Sequence, residues 1–358
     1  MALVRGDALA GLTVAAYLVP QVLAYAQLAG LPAVTGLWAA VAALAVYAVL
    51  GSSRQLSVGP ESSTALMTAI AIAPLAAGDP GRYAALSAAL ALLVGGVCLL
   101  GRLGRLGFLA DLLSRPVLIG YLAGIALVMI GGQLGRVFGA PVEADTFFGQ
   151  LGALARHLDA IHGPTLVLSA SVLAFLALLG WFVPRAPGPL LAVLLAAGAA
   201  ALFSLGGLGI KLVGPVPGGL PVPVLPAVSG ADVLNMLLPA VGVALVGYSD
   251  NVLTGRAFAS KSRHRIDADQ EMLALGTANL AVGLLQGFPV SCSGSRTVIN
   301  DAMGGRSQLS SVVTPVAVVV VLLVGGPVLA TFPTAALGAL VVYAALRLID
   351  LGEFRRFA

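Results

Sequence analysis

Charged residues are scarce in this chain. Only 9% of its 358 residues are Asp, Glu, Lys or Arg, whereas an ordinary soluble domain has about 25%. Hydrophobic residues make up 59% of the sequence, and the mean hydropathy is +1.02. One globular core could not hide so much apolar surface, which excludes a soluble protein and indicates a polytopic membrane protein.

Cysteine and histidine are also rare. Cys98 and Cys292 lie far apart in apolar surroundings, so neither a disulfide framework nor a resident metal centre is expected. His157, His162 and His264 lie in predicted loops, and no nucleophile stands beside a base, so neither an enzyme nor a cofactor is expected. The net charge of +4 comes from scattered basic residues, which argues against nucleic acid as a partner.

Long apolar runs make up most of what remains. They divide the chain into about twelve segments, most of them near the ~20 residues that one membrane crossing requires. The predicted segments are 8–28, 32–51, 62–77, 83–101, 115–137, 164–183, 188–206, 232–258, 268–286, 294–304, 309–328 and 333–350. The third and the tenth are too short to span a bilayer, which is typical of half-helices.

Lys and Arg are distributed unevenly between the two sides of this predicted topology. Fourteen lie on the side of the N-terminus, four lie on the other side, and Arg296 stays within the membrane. By the positive-inside rule the first side is cytoplasmic, so we expect a multi-pass protein of the inner (plasma) membrane with a cytoplasmic N-terminus. Residues 139–163 then form an external interfacial helix, residues 206–230 an extended external segment, and residues 261–265 a basic cytoplasmic loop.

Two polar interruptions break the apolar pattern at corresponding places in the two halves. Residues 57–66 read SVGPESSTAL, and residues 287–300 read GFPVSCSGSRTVIN. Non-helical backbone at membrane depth is tolerated only where protein or water covers it. A helix that begins there offers free N–H groups and the positive end of its dipole to an anion. Paired interruptions of this kind indicate the binding site of a transporter.

Motifs in both halves resemble the sulfate permease (SulP) family of anion transporters, in particular its bacterial members that transport bicarbonate or sulfate. Its opening signature resembles DALAGLT at 7–13, VPQVLAYAQLAGLP at 19–32, GSSR at 51–54 and SVGP at 57–60. Its later signature resembles GFPV at 287–290 and SGSRT at 293–297, and the end of its twelfth span resembles LIDL at 348–351. These motifs occur in the order and spacing of the family.

The resemblance implies an all-α polytopic membrane protein with an inverted seven-span repeat transporter fold, in which two half-helices meet at mid-membrane. It places a core domain at 1–105 and 231–330, and a gate domain at 106–230 with its second half starting at 331–358. The chain ends after its twelfth predicted span, so the last two gate spans and a cytoplasmic STAS domain are not expected in it. A homodimer is implied for the full-length protein.

The resemblance also implies an anion pocket between the N-termini of half-helices three and ten, which spans one and eight close. Gln21 and Tyr25 lie four residues apart on one face of span one, although core packing is the other interpretation of Tyr25. The further substrate-binding residues implied are Glu61, Ser62, Ser63, Thr64, Ser291, Cys292, Ser293, Gly294, Ser295 and Arg296. The hydroxyl groups at the start of half-helix three could equally cap that helix, and Arg296 could either face the pocket or pair with a carboxylate.

Two carboxyl groups inside the predicted membrane region suggest coupling to a cation. An ionisable group within a span is costly and is a functional hypothesis by default. Asp250 and Thr254, one helical turn apart, resemble the sodium-binding pair of bicarbonate-transporting family members, and their oxygen atoms are the hard ligands that suit Na⁺. Asp250 could instead carry a proton, because burial disfavours a charged carboxyl group, or serve as a structural partner of Arg296. Glu61 would repel a bound anion unless it is protonated or neutralised, which favours symport with Na⁺ or H⁺ over uniport.

The sequence therefore predicts a secondary active transporter of a small inorganic anion of the sulfate or bicarbonate class, with an elevator-like movement of the core against the gate. Its expected partners are the anion and the lipid bilayer. A nucleobase-permease-like proton symporter of the same fold would not need the SGSR run at 293–296. An uncoupled anion channel would leave both carboxyl groups without a purpose. A non-transporting interaction module is the remaining class.

Overall fold

A computed structural model describes residues 2–107, 115–142, 144, 146–183, 188–214, 218–262 and 266–348. Within these residues the chain forms fourteen α-helices, two strands of two residues each and short 3₁₀ turns. The elements are α1 (Ala2–Leu28), α2 (Ala33–Leu50), β1 (Val58–Gly59), α3 (Ser62–Ala76), α4 (Pro80–Leu103), α5 (Arg115–Phe138), α6 (Phe147–Arg156), α7 (Gly163–Phe182), α8 (Gly188–Leu202), α9 (Gly230–Ser262), α10 (Ala268–Leu284), β2 (Ser291–Cys292), α11 (Gly294–Ala302), α12 (Leu309–Val324), α13 (Gly326–Ala330) and α14 (Thr334–Leu348).

Each predicted segment coincides with a helix whose ends differ by a few residues. Segment 309–328 differs most, because α12 ends at Val324 and α13 begins only after Gly325. Of the helices in the described ranges, five are long and apolar enough to cross a membrane by themselves, and α3 and α12 are among the shorter apolar ones. The five are Gly6–Leu28, Ala33–Leu50, Pro80–Leu103, Gly163–Phe182 and Gly230–Arg256.

The predicted connections have distinct structures. Within 139–163, α6 buries Ala153 and Leu154 and exposes the apolar side chains of Phe148 and Leu151. In the described part of 206–230, a 3₁₀ turn at Leu205–Leu208 is followed by irregular chain up to the start of α9, with positive φ at Gly209, Gly214 and Gly219, so this part is not continuously extended as expected. Residues 263–265 of the basic loop and 349–351 of the last motif lie outside the described residues.

The chain divides into two compact units. Unit 1 contains residues 1–113 and 219–323, and unit 2 contains residues 114–218 and 324–358. The sequence prediction placed the corresponding boundaries at 105, 230 and 330, and the roles of core and gate stay a prediction. In unit 2, α14 packs against α5 and α7.

Glycines allow the helices of unit 1 to approach closely. A Cβ atom at Gly95 on α4 would lie 2.8 Å from the Gly276 carbonyl oxygen on α10, and one at Gly283 would lie 2.7 Å from the Ala88 carbonyl oxygen. Apolar side chains gain little by leaving lipid, so membrane helices associate through close packing at small residues. This packing holds α10 against α4.

We expect Gly36→Ala to destabilise the protein, because its Cβ atom would lie 2.0 Å from the Val22 carbonyl oxygen and would force α1 and α2 apart. The free energy of unfolding should fall by about 1–3 kcal/mol, as in other overpacked cores. Thermal unfolding in detergent measures this loss. Gly96→Ala is the control, since a Cβ atom there meets nothing within 4 Å. Equal melting temperatures for the two variants would contradict the expectation.

Candidate functional site

Two short strands pair antiparallel immediately before α3 and α11. In their register Val58 lies opposite Cys292 and Gly59 lies opposite Ser291. Next to the pair, the Ser293 N–H group donates to the Ser57 carbonyl oxygen over 2.9 Å, and the Ser57 N–H group donates to the Thr297 hydroxyl oxygen over 3.2 Å. These bonds satisfy the backbone where the helices are interrupted. The pairing brings together the two polar interruptions of the sequence.

Arg296, in the first turn of α11, is fully buried. Its Nε atom donates to Ser57 Oγ over 3.3 Å, and its Nη1 atom donates to the Pro60 carbonyl oxygen over 2.9 Å. Its Nη2 atom lies beside Gly59, where a Cβ atom would come within 3.3 Å. Among the described residues, that Nη2 atom has no hydrogen-bond partner and Arg296 forms no ion pair with a carboxylate. A buried charge without a partner is costly, and a bound anion would supply the partner.

Glu61 caps the N-terminus of α3 with its own side chain. The carboxylate accepts hydrogen bonds from the Ser63 N–H group over 2.6 Å and from the hydroxyl groups of Ser62 and Ser63. The Thr64 hydroxyl donates to the Glu61 carbonyl oxygen over 3.3 Å. The hydroxyl groups expected to bind a substrate therefore donate to Glu61 in this structure, and this carboxylate of the chain itself occupies the helix N-terminus.

The two predicted side chains of α1 are buried near this N-terminus. Tyr25 lies beside Ser62 and close enough to Glu61 and Arg296 to interact with both charges. Gln21, one turn earlier, is 6% exposed, and its Oε1 atom has no hydrogen-bond partner in the described part of the chain. Tyr25 thus belongs to the polar site as well as to the packing of α1.

Helix α9 packs directly onto β2. A Cβ atom at Gly247 would lie 3.2 Å from Ser291 Cβ, so glycine permits this approach. Ser291 is fully buried, and its Oγ atom has no hydrogen-bond partner within the described ranges. Further along α9, Thr254 lies beside the Cys292 side chain. These contacts place one face of α9 against the strand pair.

Asp250 lies on α9 one turn before Thr254 and is half-buried. It is close enough to Glu61 and Cys292 to interact electrostatically with both. No hydrogen bond or ion pair joins it to another described residue. The structure thus brings two carboxyl groups and the Arg296 guanidinium to one site, and the Asp250 carboxyl group is unpaired among the described residues.

The start of α11 completes the site. Ser293 is the N-cap of α11 and accepts a long hydrogen bond from the Arg296 N–H group over 3.5 Å. Its hydroxyl lies 3.2 Å from the Ser295 hydroxyl. Gly294 and Ser295 are exposed, whereas Ser293 is buried. The two exposed positions give the first turn of α11 an open side.

A third carboxylate, Glu271 on α10, is fully buried and was not foreseen from the sequence. Its donors are Tyr47 Oη at 2.8 Å, Ser52 N at 2.9 Å, Ser52 Oγ at 2.6 Å, Ser53 N at 3.1 Å and Asn251 Nδ2 at 2.6 Å. Glu271 therefore joins the loop before β1 to α9 beside Asp250. Its signal in the sequence was one of two carboxylates, Asp269 and Glu271, at the start of the apolar segment 268–286.

Comparisons with known proteins and protein families agree on which proteins this chain is similar to. The profile described as the sulfate permease family matches residues 4–358. A Mycobacterium tuberculosis protein named as a probable sulfate transporter is 57% identical over 354 residues, which is 99% of this chain and 63% of the relative. The chain thus spans less than two thirds of that relative.

Two solved structures share the fold. The transmembrane domain of the cyanobacterial bicarbonate transporter BicA superposes with a TM-score of 0.88 at 26% identity, over 98% of this chain and 90% of that one. The murine anion transporter Slc26a9 in its inward-facing state superposes with a TM-score of 0.91 at 26% identity, over 98% of this chain and 62% of that one.

We expect Glu271→Gln to lower the free energy of unfolding by about 2–4 kcal/mol, because a neutral amide loses charge-assisted hydrogen bonds and leaves buried donors without an acceptor. Thermal unfolding in detergent measures the change. Asp159→Asn is the control, since Asp159 is exposed in a 3₁₀ turn. A Glu271→Gln melting temperature equal to that of the control would show that the network contributes no stability.

Proposed function

The chain belongs to the sulfate permease family, and from that premise we propose that it is a secondary active transporter of a small inorganic anion of the sulfate or bicarbonate class. Its relatives are named as transporters rather than enzymes, and the fold is that of helical, multi-pass membrane transporters. The observation that carries the proposal is the fully buried Arg296 guanidinium, whose Nη2 atom has no hydrogen-bond partner among the described residues.

The anion is proposed to bind beside the strand pair, between the first turns of α3 and α11. Arginine suits an oxyanion because its planar N–H groups match the spacing of two oxygen atoms. The Ser291 hydroxyl, buried and without a partner in the described chain, supplies a further donor. The N-terminal N–H groups and the dipole of α11 add a favourable potential. Sulfate and bicarbonate both present the oxygen atoms that these donors require.

Cation coupling is proposed at Asp250 and Thr254. A carboxylate and a hydroxyl on one face of α9 provide the oxygen ligands that Na⁺ prefers, and the Thr254 hydroxyl is steadied by its contact with Cys292. A proton taken up by Asp250 or Glu61 is the alternative coupling ion. In either case the cation offsets the repulsion between these carboxyl groups and the incoming anion. Asp250, Glu61 and Arg296 all belong to unit 1, so an elevator-like movement of that unit would carry both ions together.

Uptake into proteoliposomes tests the anion site. Vesicles that contain the wild-type chain should accumulate labelled sulfate or bicarbonate faster than empty vesicles, and Arg296→Gln should reduce this uptake by at least about tenfold. Arg156→Gln is the control, since Arg156 is exposed at the end of α6. Uptake equal to that of empty vesicles, or full uptake by a correctly inserted Arg296→Gln protein, would exclude the proposed function.

Replacement of Asp250 tests the coupling. We expect uptake by the wild type to rise with an inward Na⁺ gradient, and Asp250→Asn to remove this response because the amide carries no charge to bind the cation. Asp267→Asn is a matched control, since Asp267 caps α10 through the Gln270 N–H group at 3.0 Å. If Asp250→Asn responds to Na⁺ as the wild type does, Asp250 is not the sodium ligand. A response to a proton gradient alone identifies the proton as the coupling ion.

A further inference from the structure

The N-terminus of α3 already holds a negative group. Three donors of its first turn, the Ser63 N–H group and the hydroxyl groups of Ser62 and Ser63, converge on the Glu61 carboxylate. All three are donors, so the arrangement suits an ionised carboxylate. They are also the kinds of donor that hold an oxyanion at a helix N-terminus. Glu61 therefore sits where half of an anion site would lie.

On the opposite side of the site, two buried polar atoms have no hydrogen-bond partner among the described residues. Arg296 and Ser291 are fully buried, and neither the Nη2 atom of the first nor the Oγ atom of the second has a partner in the described chain. Both lie at Gly59, because Ser291 pairs with this residue and Arg296 Nη2 lies beside it. Glu61 follows Gly59 by two residues and is close enough to interact with the Arg296 charge without an ion pair.

We propose that Glu61 is a tethered anion, which competes with the transported anion for the N-terminus of α3 and thereby sets the affinity of the site. This inference rests on the proposed function. While Glu61 holds the three donors, an incoming anion has only the Arg296 side of the site and is repelled by a neighbouring carboxylate. Full binding requires the carboxylate to leave the α3 donors.

The tethered anion also sets selectivity by charge. Coulomb repulsion scales with the product of the two charges, so the Glu61 carboxylate disfavours a divalent anion more than a monovalent one. Removal of the charge should therefore strengthen the binding of sulfate more than that of bicarbonate. A capping carboxylate that lay far from the bound anion would have no such preference, because Coulomb repulsion falls with distance.

Calorimetric titration of the chain in detergent, at fixed pH and Na⁺ concentration, tests the proposal with sulfate and bicarbonate as probes. Glu61→Gln removes the charge, and Glu61→Ser removes it while keeping a favourable N-cap. Both variants should bind sulfate about tenfold more tightly than the wild type, as expected for a change in one charge at a helix N-terminus. Bicarbonate binding should gain less. Glu61→Asp keeps the charge and should stay near the wild type.

Asp79→Asn is the matched control. Asp79 caps α4 by accepting from the Gly81 and Arg82 N–H groups at 2.8 and 3.2 Å, and it lies beyond the C-terminal end of α3, whereas Glu61 lies at the N-terminal end. It should leave both affinities unchanged. If the wild type binds sulfate and both neutral Glu61 variants bind it equally tightly or more weakly, the proposal of a tethered anion is overturned. The proposed function would still stand. If neither the wild type nor the two folded neutral variants bind sulfate or bicarbonate, the tethered anion and the proposed function are both overturned.

Discussion

Backbone polar groups buried among apolar helices must find partners, and the centre of unit 1 is built around this requirement. The strands β1 and β2 bond to one another where α3 and α11 cannot yet begin. Asn279 of α10 satisfies two further backbone groups, since its side chain accepts from the Val290 N–H group at 2.9 Å and donates to the Val290 carbonyl oxygen at 3.1 Å. Because the backbone groups before α3 and α11 need hydrogen-bond partners, the N-termini of these two helices are held in one place.

Two carboxylates on neighbouring helices, Glu271 and Asp250, differ in whether their need for hydrogen-bond partners is met within the protein. Glu271 is fully buried and accepts hydrogen bonds from four residues, so its charge is satisfied within the protein. Asp250 lies beside Asn251, one of those four, yet makes no hydrogen bond with any described residue. The satisfied carboxylate holds the elements together, whereas the unsatisfied one and the guanidinium of Arg296 are the groups proposed to bind ligands.

The sequence predicted the positions of the helices well, but it predicted few of the contacts between side chains. Helix positions followed from apolar runs of membrane length, and the two polar interruptions located the half-helices. The division at Gly325 was not foreseen, because the run on either side of it stays apolar and gives hydropathy no boundary. Motif spacing placed Glu61 at the start of α3 but could not show that its side chain turns back onto Ser62 and Ser63. Glu271 was missed because its donors come from distant parts of the chain.

The central claim is that an anion binds at Arg296 between the first turns of α3 and α11. Selenate has the shape and charge of sulfate, and anomalous diffraction at the selenium edge locates it directly in crystals grown with this salt. The claim predicts one strong selenium peak within hydrogen-bond distance of Arg296 Nη2 and Ser291 Oγ. Ordered selenate found elsewhere on the protein, with no peak beside Arg296, would contradict it.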